Sequence, residues 1–338
     1  MFDNKKVRIS TIITFYNGQI SFLKELIESI EVSIDRLIQI QKQNLIEHNL
    51  VIINDSINKA VEGILEVFID GYRSKSFSNI VLIHNSINLG IIGSRLKGLK
   101  YIGESDIVHI IDQDDKIDNN FYSIANKIFH ENKEANFLVA GTTIIIDENN
   151  KQISKFIIPE SLNRIGNKNI LKKFIYGTNF VISMGSLVFR GILVDQIIAL
   201  FEKFDRDIDG SDDALAQIFL LKSGYKCIFS KELVLFYRMY NNNYSKEISK
   251  DFYSKTLKGL KILNQMGLIT GKELEFRRRI DRSLRILRKG FKNCKISDWK
   301  NLISDFPLLI KFFYYNKIYK PLKKYVPRPK RVGRKNKA

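Results

Sequence analysis

The sequence predicts an α/β protein: a parallel β-sheet covered by helices, followed by a basic helical extension. Three observations carry this. Over residues 1–150, short β-branched apolar runs alternate with longer amphipathic ones, the pattern of strand–helix–strand units. Acidic residues recur directly after the apolar runs. The positive charge is confined to one end: Lys246 to Ala338 holds 27 Lys/Arg against 7 Asp/Glu, whereas residues 1–245 hold 28 against 29.

Taken in order, Val7–Thr14 is β-branched and stops at Asn17-Gly18, so it reads as a buried strand. From Ile20 to Asn44, Leu23, Leu26, Ile27, Ile30, Ile34, Leu37 and Ile38 form one helical stripe. Leu50–Ile53 is a second strand, Asn58–Tyr72 a helix, Ile80–His84 a third strand, Ile92–Tyr101 a short helix and Ile107–Ile111 a fourth strand. Phe137–Ile146 and Ser186–Phe189 read as strands and Lys168–Phe174 and Asp213–Ser223 as helices. Lys226–Phe229 and Leu233–Tyr237 read as two further strands. Beyond Asn243 the chain is helical and basic to Tyr319, and the Pro- and Lys/Arg-rich end from residue 321 reads as a disordered tail. The expected organisation is therefore a working domain over 1–245, a basic amphipathic extension over 246–320 and a tail over 321–338.

Composition narrows the function classes. At 338 residues and 44% hydrophobic, the chain can bury a sizeable core. Two cysteines, Cys227 and Cys294, exclude a disulfide framework and a multi-cysteine zinc site. No apolar stretch approaches the roughly 20 residues needed to span a bilayer, and the N-terminus has no apolar signal-peptide core. A cytoplasmic protein, peripheral at the inner face of the cell membrane, is expected. His48, His84, His109 and His130 are scattered without zinc-ligand spacing and read as structural.

The polar residues at strand ends are the informative ones. Asp55 follows the second strand, and Asp112, Asp114 and Asp115 follow the fourth as IIDQDD. In a parallel sheet these ends share the edge where ligands bind. The acidic run is either a solvated turn or a seat for a hard divalent cation. In Asn88-x-Gly90-x-x-x-Ser94-Arg95-x-x-Gly98, Arg95 is either a surface arginine or a phosphate contact near a helix start. Asp212-Asp213 opens a helix, where an acid also serves as a cap or as a favourable charge on the helix dipole.

Together these motifs resemble the family 2 glycosyltransferases. The matching elements are IITFYNG (Thr14 to Gly18), IINDS (Asn54-Asp55), Asn88 to Gly98, Asp112 to Asp115, Asp212-Asp213 ahead of Gly224, and Tyr237-Arg238 with Asn242, Asn243 and Ser245 behind. Asn54 stands at the first position of the usual acidic pair, and the glycine after that pair is absent. The resemblance implies the GT-A, nucleotide-diphospho-sugar transferase fold, with a mixed, mainly parallel sheet. It implies an inverting, metal-dependent transferase moving a hexose or rhamnose from a UDP-sugar or dTDP-sugar to a glycan or lipid-linked glycan in bacterial capsule or cell-surface polysaccharide biosynthesis. By the same resemblance Thr14, Tyr16, Asp55, Arg95 and Asp112 bind the donor nucleotide, and Asp114 holds Mn²⁺ or Mg²⁺ on the diphosphate. Asp213 is the general base, with Asp212 supporting it. No run of membrane helices follows, which separates the chain from the processive synthases. The alternative is a catalytically degenerate transferase fold that binds membrane or nucleic acid through its basic end.

That end combines Arg277–Arg279, Arg282, Arg285, Arg288 and Lys289 with Leu284, Ile286 and Leu287, and then an aromatic stretch from Trp299 to Tyr315. A basic helix with apolar companions reads as binding an anionic membrane surface; no nucleic-acid module accompanies it, so nucleic acid is not an expected partner.

Overall fold

The run VRISTIITF forms β1 (Val7–Phe15), an inner strand of a ten-stranded sheet among the described residues. The structure is a computed structural model and describes residues 6–41, 45–164, 166–176, 183–240, 252–289, 294–318 and 322–325. β2 (Ile46–Asn54) and β4 (Ile107–Asp112) flank β1 in parallel, and β3 (Asn79–His84) adds in parallel to β2. Beyond β4 the sheet becomes mixed. β8 (Leu187–Arg190), β6 (Ala135–Ile146), β7 (Gln152–Ile157) and β10 (Leu322–Tyr325) follow outward. β8 is antiparallel to β4 and β6, and β7 to β6 and β10. β9 (Lys226–Arg238) runs parallel to β6 and pairs with the two-residue β5 (Lys116–Ile117).

Successive side chains of a strand face opposite ways, so each inner strand feeds two cores. Ile12, Val51, Ile53, Val108 and Ile110 enter one; Ile9, Ile13, Leu50, Ile52, Ile107 and Ile111 enter the other. The first core is covered by α3 (Gly90–Tyr101), α6 (Val194–Phe201) and α7 (Asp212–Lys222). The second is covered by α1 (Ile20–Gln41), α4 (Phe121–Glu131) and Leu65 of α2 (Lys59–Gly71). The apolar stripe expected for α1 is buried as a stripe, and the expected end at Asn44 lies outside the described residues.

Several elements differ from expectation. α4, unanticipated, buries Phe121, Tyr122, Ala125 and Phe129 against the sheet. The two strands expected over 226–237 are one, because Ser230-Lys231-Glu232 is accommodated as a bulge against β6. Gly141 permits this: a side chain there would strike the backbone of Ser230.

The helices beyond residue 251 do not form one unit. α8 (Phe252–Gln265), counted with the basic extension on charge, buries Leu260 and Leu263 in the same core as α7. Gly259 lets it lie close against Leu215. α9 (Gly271–Lys289) and α10 (Ile296–Ile318) carry a core of their own: Phe276, Ile280, Ile286, Leu302, Leu309 and Phe312. α9 also touches the first core, through Leu274 and through the Lys222–Glu273 ion pair at 2.9 Å. Residues 322–325, expected in the disordered tail, form β10 on the sheet edge; PRPKRVGRKNKA lies outside the described residues.

Candidate active site

The parallel register places Thr14 of β1 opposite both Ile53 and Asp112, and Phe15 opposite Asn54. Backbone pairing alone therefore gathers Thr14, Asp55 and Asp112 at one sheet edge. There a polar chain begins. Thr14 Oγ1 donates to Asp112 Oδ1 at 3.3 Å, and Arg95 Nη2 donates to the same oxygen at 2.5 Å. Arg95 Nη1 pairs with Asp212 Oδ2 at the start of α7. Arg95 is 3% exposed, so it is not a surface arginine. Burial opposes its charge, but Asp112 and Asp212 outweigh this and hold it firmly protonated.

Asp213 stands next to this chain, buried at the first turn of α7. Its Oδ1 accepts from the Ala214 N–H at 2.6 Å. Burial, reinforced by the charge of Asp212, pushes its carboxyl up to about 8. Asp114 is pushed up to about 6 by burial and by the neighbouring charge of Asp112, and Tyr240 donates a hydrogen bond to it. Asp115 is fully buried and also raised by burial; it accepts from Ser183 Oγ at 3.2 Å and from the Arg238 N–H at 3.2 Å.

Asp55 and Tyr16 stand apart from this chain. Asp55 Oδ1 accepts from the Leu89 N–H at 2.6 Å and from Asn85 Nδ2 at 2.8 Å, and Oδ2 accepts from the Gly90 N–H at 2.8 Å. Asp209 takes the next two amides of α3, Ile91 at 3.0 Å and Ile92 at 3.1 Å. The four amides that a helix start leaves unpaired are thus met by two carboxylates of this chain. Tyr16 is half-exposed; its backbone N–H and C=O both bond Gln113, at 2.9 and 3.2 Å.

Sequence reading named Asp114 but missed what supports it. Arg238, fully buried, donates through Nε to the Asp114 carbonyl at 2.9 Å and through Nη2 to Glu25 at 2.7 Å, with its guanidinium over Phe22. The Tyr237-Arg238 motif was the available signal; Glu25 and Asp209 left none. Met184-Gly185-Ser186 is a buried turn, and the Gly185 carbonyl accepts from His109 Nε2 at 2.9 Å. His109 belongs to a buried chain with Tyr122, Thr11 and His48, which bears out the structural reading of both histidines.

No three His, Cys, Asp or Glu side chains converge as a closed metal cage among the described residues. The donor set nonetheless fits a shared ion. Asp112 and Asp114 are neighbouring carboxylates that would offer hard oxygen ligands, and Asp114 is raised by burial and then by the charge of Asp112. A divalent ion on a diphosphate needs only one or two protein carboxylates.

The sequence model of Glycosyl transferase family 2 matches residues 10–195, more than half of the chain, and the chain belongs to that family. The match ends before α7, so it does not cover Asp212 and Asp213. Solved structures of S. aureus TarS share the fold. One of TarS superposes with a TM-score of 0.52 at 16% identity, covering 90% of this chain and 49% of that one. The chain thus spans about half the length of that relative. TarS 1–349 in complex with UDP-GlcNAc gives 0.53 at 15% identity, covering 90% and 81%; its complex with UDP gives 0.52 at 16%, covering 90% and 80%. No curated protein sequence matches the chain.

Proposed function

We propose that the chain transfers a sugar, with inversion, from a UDP-sugar or dTDP-sugar to a glycan or lipid-linked glycan of a bacterial capsule or cell surface. The observation that carries this reading is Asp213. It is a buried carboxyl raised to about 8, beside an ion-pair chain that ends at the ligand-binding sheet edge. A hydroxyl is a poor nucleophile, and a base near the working pH is suited to take its proton. Asp213 accepts that proton while the acceptor oxygen attacks the anomeric carbon opposite the departing diphosphate, so the configuration inverts. Arg95 and Asp212 hold the start of α7, and with it Asp213, against Asp112. Asp112 and Asp114 would hold Mn²⁺ or Mg²⁺, which when bound would neutralise charge developing on the leaving diphosphate. Thr14 keeps Asp112 oriented. Tyr16, half-exposed on the loop clamped by Gln113, offers a ring for the base. Asp55 shapes that pocket by fixing the loop into α3.

The UDP-GlcNAc and UDP named with TarS support a uridine donor. Among the described residues no helix is long and apolar enough to cross a membrane. We read the enzyme as working at the inner face of the cell membrane, held there by its basic C-terminal region. The test is calorimetry with UDP, dTDP, GDP and CDP, each with and without Mn²⁺. Metal-dependent binding of one pyrimidine diphosphate is expected. Binding of none would favour a degenerate transferase fold.

A further inference from the structure

Three of the arginines that made α9 look like a cationic face are paired with acidic residues of the chain itself. Arg279 Nε and Arg282 Nη2 both bond Asp305 of α10, at 2.6 and 2.8 Å, and Asp305 is fully buried. Arg277 is buried, and Arg278 pairs with Glu275 on its own helix. The outward apolar surface belongs to α10 instead. One side of α10 packs Leu302, Leu309 and Phe312 on α9. The other presents Ile296, Trp299, Ile303, Phe306, Ile310 and Phe313, each 42% exposed or more. They alternate three and four residues apart, which aligns them along a single face.

We propose that this outer face of α10 is the surface by which the protein lies on an anionic lipid bilayer. The inference rests on the reading of a transferase working at a membrane and assigns the contact to particular residues. Charge selects the partner. After Asp305 the sequence contains 11 Lys/Arg and no acidic residue. An anionic headgroup layer satisfies that charge while its acyl boundary takes the isoleucines and aromatics. A second copy of the chain would bring the same net positive charge, which disfavours a pairing of copies. The attachment to the catalytic body is firm. α5 (Gly166–Tyr176) packs against α7, α9 and α10. Lys173 Nζ donates to the Tyr315 carbonyl at 3.2 Å, and Lys311 Nζ sits 3.7 Å from the Tyr176 ring centre. A bilayer under α10 therefore lies at a fixed attitude to Asp213.

The chain has one tryptophan, and it is Trp299. Full-length protein is mixed with vesicles of phosphatidylcholine plus phosphatidylglycerol, and with phosphatidylcholine alone. Trp299 emission shifts to the blue with the anionic vesicles and is quenched by brominated acyl chains, and the protein floats with them. The combined variant Ile303→Ser, Phe306→Ser, Ile310→Ser, Phe313→Ser alters only exposed side chains and lowers vesicle affinity at least about tenfold. An unshifted Trp299, or flotation unaffected by the four serines, overturns the proposal. So does a dimer in vesicle-free sedimentation that the serines convert to monomer, which would make the face an interface between copies. UDP binding measured on the same preparations separates the two readings. Lost flotation with intact UDP binding sinks this surface alone, and intact flotation without UDP binding sinks the transferase reading.

Discussion

Arg95 and Asp212 form an ion pair buried on both sides, tying the second turn of α3 to the first residue of α7. Through its other amino group Arg95 also holds Asp112, so one guanidinium links the end of β4 to the helix that carries Asp213. Removing one partner of a buried pair leaves an uncompensated charge and costs roughly 3–5 kcal/mol. Arg95→Met is expected to lower the melting temperature by that equivalent and to reduce transfer. Asp212→Asn leaves Arg95 paired with Asp112 and is expected to cost less. Thermal denaturation of the two variants checks the order.

Asp213→Asn is expected to abolish transfer while leaving UDP affinity near wild type. It should also raise stability. The folded carboxyl lies near 8 against an ordinary 3.8, so the acid form is favoured on folding. That contribution is complete below 3.8 and is lost as pH rises through about 8. An amide there removes the cost of ionising a buried acid at neutral and higher pH. For the wild type the rate should climb with pH and level off above about 8, because the base must be deprotonated. Paired melting curves and pH–rate profiles test both, and a profile flat from pH 6 to 9 would count against Asp213 as the base.

Asp114→Asn is expected to remove most of the increase in UDP affinity that Mn²⁺ produces, with little change in metal-free affinity. Calorimetry with and without Mn²⁺ gives the comparison. An undiminished metal effect would shift the ion to other ligands.

Asp209→Ala strips the Ile91 and Ile92 amides of their acceptors. An unmet buried donor costs about 1–3 kcal/mol. Gly90→Ala attacks the same joint, because φ there is +78° and a Cβ would run into the Asp209 carboxylate. Both should lower the denaturation midpoint, and hydrogen exchange should quicken at α3 before it does in β1.

The His109–Tyr122–Thr11–His48 chain makes acid a destabilising agent. Burial pushes His109 down to about 4, and burial with the charge of His109 pushes His48 down to about 3, both below the unfolded 6.5. The unfolded chain binds more protons between those limits, so stability falls as pH drops from 6.5 toward 3. Denaturation midpoints from pH 7 to 4 should show this, and His48→Gln should flatten the slope.

The sequence by itself determined the parallel half of the sheet and its acidic edge. β-branched runs and helical stripes are local patterns, and a parallel strand brings its C-terminal residues to a common edge wherever the helices between lie. That is why Asp55, Asp112 and Asp114 were legible, and why the six motifs sufficed to indicate the family. Only the tertiary structure decided which groups pair. Arg95 and Asp212 are 117 residues apart, Arg238 and Glu25 213 apart, and Asp209 caps a helix that begins 119 positions earlier. No local pattern encodes such encounters. Charge composition likewise drew the extension's start at residue 246, whereas burial places Leu260 and Leu263 of α8 in one core with α7, and tertiary pairing sets Arg279 and Arg282 on Asp305. It is packing that left the isoleucines and aromatics of α10 facing outward.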